Sequence, residues 1–145
     1  MPVANIHVLA GRPRPVLKRL LREVAQTYAD VLDSPIDRVQ VWITEVDPEL
    51  VAIGGVPADE LLAGSARSEV EIPLARLVML EGRPVEQVER AIVELTDVIA
   101  RVLEADPRRV RVEAQSIAAE RWGIGGVPAA VKRRTEIDAR EAQLR

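Results

Sequence analysis

Pro2 and the Gly-Arg pairs at 11–12 and 82–83 are the residues whose types and spacing best suit them to chemistry. Once the initiator Met1 is removed, Pro2 presents a free secondary amine. An α-amino group titrates near pH 8. Arginine charge nearby and partial burial both favour the neutral amine and draw its titration towards neutral pH. A neutral amine at that pH is a well-matched general base for a carbon-bound or enolic proton. Guanidinium groups can hold a carboxylate through two parallel hydrogen bonds and stabilise an oxygen on which negative charge develops. Alone, Pro2 has a plainer reading, as a small residue that merely lets Met1 be trimmed.

Pro73-Leu-Ala-Arg-Leu-Val-Met-Leu-Glu-Gly82-Arg83 repeats the opening phrase from Pro2 to Arg12 at an offset of 71 residues. The same gap-free offset carries Val39, Val41 and Ile53-Gly-Gly-Val-Pro57 onto Val110, Val112 and Ile124-Gly-Gly-Val-Pro128. Two copies are too few for a solenoid and suit a pseudo-twofold arrangement. Only one copy can bear a free amine.

Each copy has the same grammar. Residues 3–9 and 74–80 are short apolar runs that read as strands. A helical stripe follows, Leu17, Leu20, Leu21, Val24, Tyr28, Val31 and Leu32, repeated by Val88, Ala91, Ile92, Leu95, Ile99, Val102 and Leu103. Pro13, Pro15 and Pro84 suit helix starts, and Pro35 and Pro107 stop both helices. Second strands are expected at about 38–46 and 109–117, each with one apolar face. The Ile-Gly-Gly-Val-Pro-Ala segments predict short hairpins. This divides the chain into a first β-α-β unit at 2–58, a linker at 59–71, a second unit at 72–129 and a charged tail at 130–145, helical or frayed.

A β-α-β crossover makes its strands parallel and puts the helix on one side. The expected fold is therefore α+β: a four-stranded mixed sheet with two helices on one face. The other face would be bare, so the fold predicts an oligomer.

Bulk composition narrows the function. The 145 residues are 48% apolar and carry a net charge of −3, which offers no basic field for nucleic acid. Cysteine is absent and His7 is the single histidine, which excludes thiolate chemistry and any cluster of imidazole ligands within one chain. Neither glycine cluster matches a phosphate-binding loop. No cofactor, metal or membrane partner is implied, and a cytoplasmic location is expected.

The first half, with Pro2-Val-Ala-x-Ile-His-Val-Leu-x-Gly-Arg12, Leu32-Asp-Ser-Pro, Val39-x-Val-x-Ile-Thr-Glu45 and Ile53-Gly-Gly55, resembles 4-oxalocrotonate tautomerase. The second half resembles the same unit again, so the chain is similar to the fused members of the tautomerase superfamily. That resemblance implies a homotrimer and a cofactor-independent enol–keto isomerisation of a small carboxylate, such as a 2-hydroxy-dienoate. It makes Pro2 the base. The family's carboxylate-binding arginine falls on Arg12 and Arg83; its oxo-polarising arginine falls on Gln40 and Arg111; its aromatic wall falls on Val51 and Trp122. The resemblance thus implies a composite pocket, with Pro2 from a first half and Arg83, Arg111 and Trp122 from second halves of the same or a neighbouring chain.

Plainer roles stand beside these. Arg12 could bind substrate in an amine-free site or only satisfy a local carboxylate, and Arg111 could be a solvated surface charge. Trp122 suits a pocket wall or a subunit contact. Tyr28 belongs to the core stripe, His7 reads as packed or interfacial, and Trp42 points away from the helices. The superfamily's dehalogenase pattern is not matched: Leu80, Ile124 and Ala29 stand at its arginine, glutamate and histidine positions. Decarboxylation, hydration or dehalogenation of a three-carbon acid is the alternative on the same site, with Glu113 and Glu120 as candidate water activators. A non-catalytic trimer is the alternative if Met1 is retained.

Overall fold

The computed structural model describes residues 2–145, so the fate of Met1 lies outside the described residues. Strand β1 (Val3–Leu9) leads into helix α1 (Arg14–Leu32) and strand β2 (Gln40–Val46). A hairpin of β3 (Ala52–Ile53) and β4 (Val56–Pro57) and two short helices, α2 (Ala58–Leu62) and α3 (Arg67–Val70), connect to the second unit. That unit repeats the order with β5 (Leu74–Leu80), α4 (Val85–Leu103), β6 (Arg111–Ile117), the β7 (Gly123–Ile124) and β8 (Val127–Pro128) hairpin, α5 (Ala129–Lys132) and α6 (Arg134–Gln143). The expected linker and tail are therefore largely helical.

The sheet runs β2-β1-β5-β6. The outer pairs are parallel and the central β1–β5 pair is antiparallel, with Val3 opposite Val78 and His7 opposite Leu74. This is the mixed sheet the duplication predicts. Ala4, Ile6 and Val8 on β1 and Ala75, Leu77 and Met79 on β5 are buried in the core shared with the stripes of α1 and α4. Each large side chain so buried contributes about 2 kcal/mol. Tyr28 is fully buried and its hydroxyl donates to the Val78 carbonyl at 3.0 Å. The second strands begin later than expected because single turns of 3₁₀ helix, Ile36–Arg38 and Pro107–Arg109, precede them.

Both long helices end on a non-glycine residue in the left-handed region, Asp33 (φ 51°) and Glu104 (φ 53°). The sheet face away from the helices carries Asn5, His7, Trp42, Arg76, Arg111 and Glu113, none of them buried, and Trp42 is 55% exposed. No helix among the described residues is long and apolar enough to cross a membrane.

The candidate active site and its filled counterpart

The antiparallel centre of the sheet brings the start of β1 to the end of β5. Pro2 is buried there, and its carbonyl accepts the Gln40 N–H at 3.0 Å. Beyond Leu80 the chain turns at Gly82, whose φ of 95° favours glycine, and delivers Arg83 to the head of α4. Arg83 Nη1 donates to the Leu32 carbonyl at 2.7 Å, capping the last turn of α1. Its Nε is buried without a partner. Burial, then the positive charge of Arg140, pushes the Arg83 guanidinium down to about 10.

Pro2, Leu80 and Arg83 line a cavity of about 60 Å³ together with Arg38, Glu136 and Arg140. The last two come from the charged tail. Four arginines face two carboxylates around this cavity, counting Arg133 and Asp33, so it is positively charged. Arg38 grips Glu136 through both oxygens, at 2.6 and 3.0 Å, and so fastens α6 over the site. That contact holds the Glu136 carboxyl below its usual range, chiefly by the Arg38 hydrogen bond. Arg83, Arg140 and Glu136 also line an adjoining cleft of about 530 Å³.

The pseudo-twofold repeats this arrangement at the opposite end of the sheet, where the outcome differs. Pro73 is locked in a peptide bond, and its carbonyl accepts the Arg111 N–H at 2.9 Å. Arg12, the counterpart of Arg83, is clamped by Glu71. Its Nη1 donates to Oε2 at 3.0 Å and its Nη2 donates to Oε1, with the two side chains only 8% and 3% exposed. Glu71 Oε2 also accepts the Leu9 N–H at 2.6 Å. Arg67 holds the linker there by donating to the Leu9 and Ala10 carbonyls, both at 3.0 Å. Its guanidinium comes so near Gly11 that a Cβ there would meet it at 2.7 Å. The linker thus fills its own arginine with a carboxylate.

Of the residues expected at the site, the structure therefore brings Pro2 and Arg83 of one chain together. Arg12 is at the other end, paired with Glu71. Arg111 stands opposite Leu74, which stands opposite His7, so it lies roughly 17 Å along the sheet from Pro2, beyond the reach of one side chain. In its own chain its Nη1 donates to the Arg108 and Val110 carbonyls. Trp122 is half-buried, and it is not among the residues around the Pro2 cavity. Arg38, Glu136 and Arg140 escaped the sequence reading. For Arg38 a signal existed, since the same offset of 71 residues that links the two halves places Arg109 at its counterpart. Among the described residues no three acidic or histidine side chains cluster to hold a metal.

Residues 2–60 and 73–132 each match the family described as tautomerase enzyme. The chain belongs to the tautomerase family. It is a fused, 4-oxalocrotonate tautomerase-like isomerase in which both units carry the family match. This tautomerase is 43% identical over 61 residues to the 2-hydroxymuconate tautomerase of Pseudomonas fluorescens, covering 42% of this chain and 97% of that protein. A Pseudomonas putida enzyme of the same name gives the same figures: 43% identity over 61 residues, 42% and 97% coverage. Among solved structures it resembles native fused 4-OT, with a TM-score of 0.80 and 26% identity over 89% of this chain and 97% of the other. A wild-type fused 4-OT that forms an asymmetric trimer shares the fold, with a TM-score of 0.79 and 22% identity over 90% and 98% of the two chains.

Proposed function

We propose that this tautomerase interconverts the enol and keto forms of a small 2-hydroxy-dienoate or enolpyruvate-like acid, with the Pro2 amine as general base. The reading rests on one observation: buried Pro2 shares a positively charged cavity with Arg83, whose buried Nε lacks a partner. With Met1 removed, the Pro2 nitrogen takes the proton from the enol hydroxyl or the adjacent carbon and returns it to the conjugated carbon. Arg83 holds the carboxylate through its free N–H groups. The guanidiniums around the cavity keep the amine neutral near pH 7 and so able to accept that proton.

The protein acts as a cytoplasmic homotrimer in this reading. The uncovered sheet face, with Trp42 more than half exposed, supports burial against other copies. Trimer packing would let Arg111 of a neighbouring subunit polarise the substrate oxygen and Trp122 supply an apolar wall, because the register keeps Arg111 from its own Pro2.

Intact mass and a spectrophotometric assay test the base. The purified protein should lack Met1 and ketonise 2-hydroxymuconate. Pro2→Ala should lower kcat/KM about 100-fold or more, and Arg83→Ala should do likewise, with the oligomer unchanged. A native protein that retains Met1 yet has full activity, or a Pro2→Ala variant as fast as native, would refute the assignment.

A further inference from the structure

We propose that Arg140, on the tail helix α6, is a second carboxylate-binding residue of the Pro2 pocket and closes with Arg83 on one carboxylate of the substrate. This deepens the isomerase reading above and depends on it for the word substrate, although the anion site itself does not.

Three observations carry it. First, Arg140 Nη1 and Arg83 Nε are both buried without hydrogen-bond partners, and both residues line the Pro2 cavity. An unpartnered buried guanidinium N–H is costly, and two guanidiniums close enough to repel raise that cost. Arg140 is the second cause, after burial, of the destabilised charge on Arg83. A planar carboxylate between the two would satisfy both donors and cancel the repulsion at once.

Second, the one tail carboxylate at hand is already engaged. Both oxygens of Glu136 accept from Arg38, with Arg133 3.9 Å away. Glu136 therefore anchors α6 and leaves Arg83 Nε and Arg140 Nη1 without a partner, although Arg83 Nη1 caps α1 and Asp33 also lines the cavity. Third, the molecule shows at its other end what an arginine in this position does with a carboxylate. Arg12 takes Glu71 bidentately in a buried site, supplied by the segment that follows the first unit. The segment that follows the second unit brings Arg140 and a Glu136 already held by Arg38. One end thus closes its arginine with a buried carboxylate, while the other leaves an unpartnered N–H on each of Arg83 and Arg140. Arg83 and Arg140 also line the 530 Å³ cleft, which puts them where an anion from solvent would meet them. Arg140 lies beyond the residues that match the family, which end at 132.

The test uses the full-length protein with native, Arg140→Gln, Arg140→Lys and Glu136→Gln forms. Ketonisation of 2-hydroxymuconate gives KM and kcat; calorimetric titration with adipate, an unreactive six-carbon dicarboxylate, gives Kd. Arg140→Gln should raise KM and weaken adipate by about 10- to 100-fold each, with kcat within roughly threefold of native. Arg140→Lys, which restores the charge, should recover part of both. A purely fastening role would instead make Glu136→Gln at least as damaging as Arg140→Gln. That result, or native adipate affinity in Arg140→Gln, overturns the proposal. If the native protein ketonises nothing but adipate binding still depends on Arg140, the anion clamp stands and the isomerase reading falls. If activity depends on Pro2 while Arg140→Gln matches native in KM and Kd, the clamp falls and the isomerase reading stands.

Discussion

Replacing Glu71 by Gln removes a single charge from the most enclosed ion pair among the described residues while preserving its shape. Glu71 is 3% exposed and Arg12 8%, so solvent cannot compensate the guanidinium left behind. Breaking one side of a buried pair costs about 3–5 kcal/mol. Glutamine can still accept the Leu9 N–H and one Arg12 N–H, so a loss at the lower end, about 3 kcal/mol, is expected. For a chain of this size 1 kcal/mol corresponds to about 2–4 °C, which puts the fall in Tm on the order of 10 °C. The double variant Arg12→Met, Glu71→Gln has no orphaned charge and should lose only about 1 kcal/mol, a strongly non-additive result. Urea unfolding followed by circular dichroism measures both, with protein concentration held constant because subunit association contributes to stability. The same double variant speaks to function. Its pair lies at the opposite end of the sheet from Pro2, so kcat/KM for 2-hydroxymuconate should stay within about twofold of native. Additive losses would show that the two charges are not coupled. A large rise in KM would return Arg12 to the substrate.

Other perturbations bear on separate parts of the structure. Tyr28→Phe removes the donor to the Val78 carbonyl without opening a cavity and should cost about 1 kcal/mol in urea unfolding. Glu104→Gly relieves a left-handed C-cap on an exposed residue away from the Pro2 cavity, and should stabilise by about 0.5–1 kcal/mol in a thermal scan with no change in activity. Glu136 has its folded-state titration lowered from 4.5, mainly by Arg38, so its grip on α6 is fully present above pH 4.5 and is lost as pH falls through the lowered value. NMR shifts of α6 amides should therefore move cooperatively as native protein is acidified below pH 4.5, and Glu136→Gln should show the acid-like spectrum already at pH 6.

The reach of sequence reasoning here follows from which distances along the chain a pattern can encode. Strand and helix periodicities act over a few residues, and they locate β1, α1, β5 and α4 to within a residue or two. The offset of 71 residues adds the relation between halves. Antiparallel pairing of the two first strands then places the Gly-Arg of one copy beside the proline of the other, which is where Arg83 and Pro2 meet. That placement also separates Arg111 from its own Pro2, a consequence of register that composition of the strand alone does not reveal.

The segments between and after the repeats obey no such pattern. Arg12 meets Glu71 across 59 residues and Arg38 meets Glu136 across 98, each pairing decided by where a short irregular segment folds back. Charge-rich composition identified the tail as helical or frayed; most of it forms α6, and Arg140 Nη1 is buried. A duplicated fold begins with two equivalent ends, and the repeated residues keep them equivalent. Their difference comes from the unrepeated residues: Glu71 closes one arginine, while Arg140 joins the other with an unpartnered N–H on each. The proposed Pro2 base needs an arginine with an unpartnered donor beside it, and among the described residues Arg83 stands there while Arg12 at the other end is closed by Glu71.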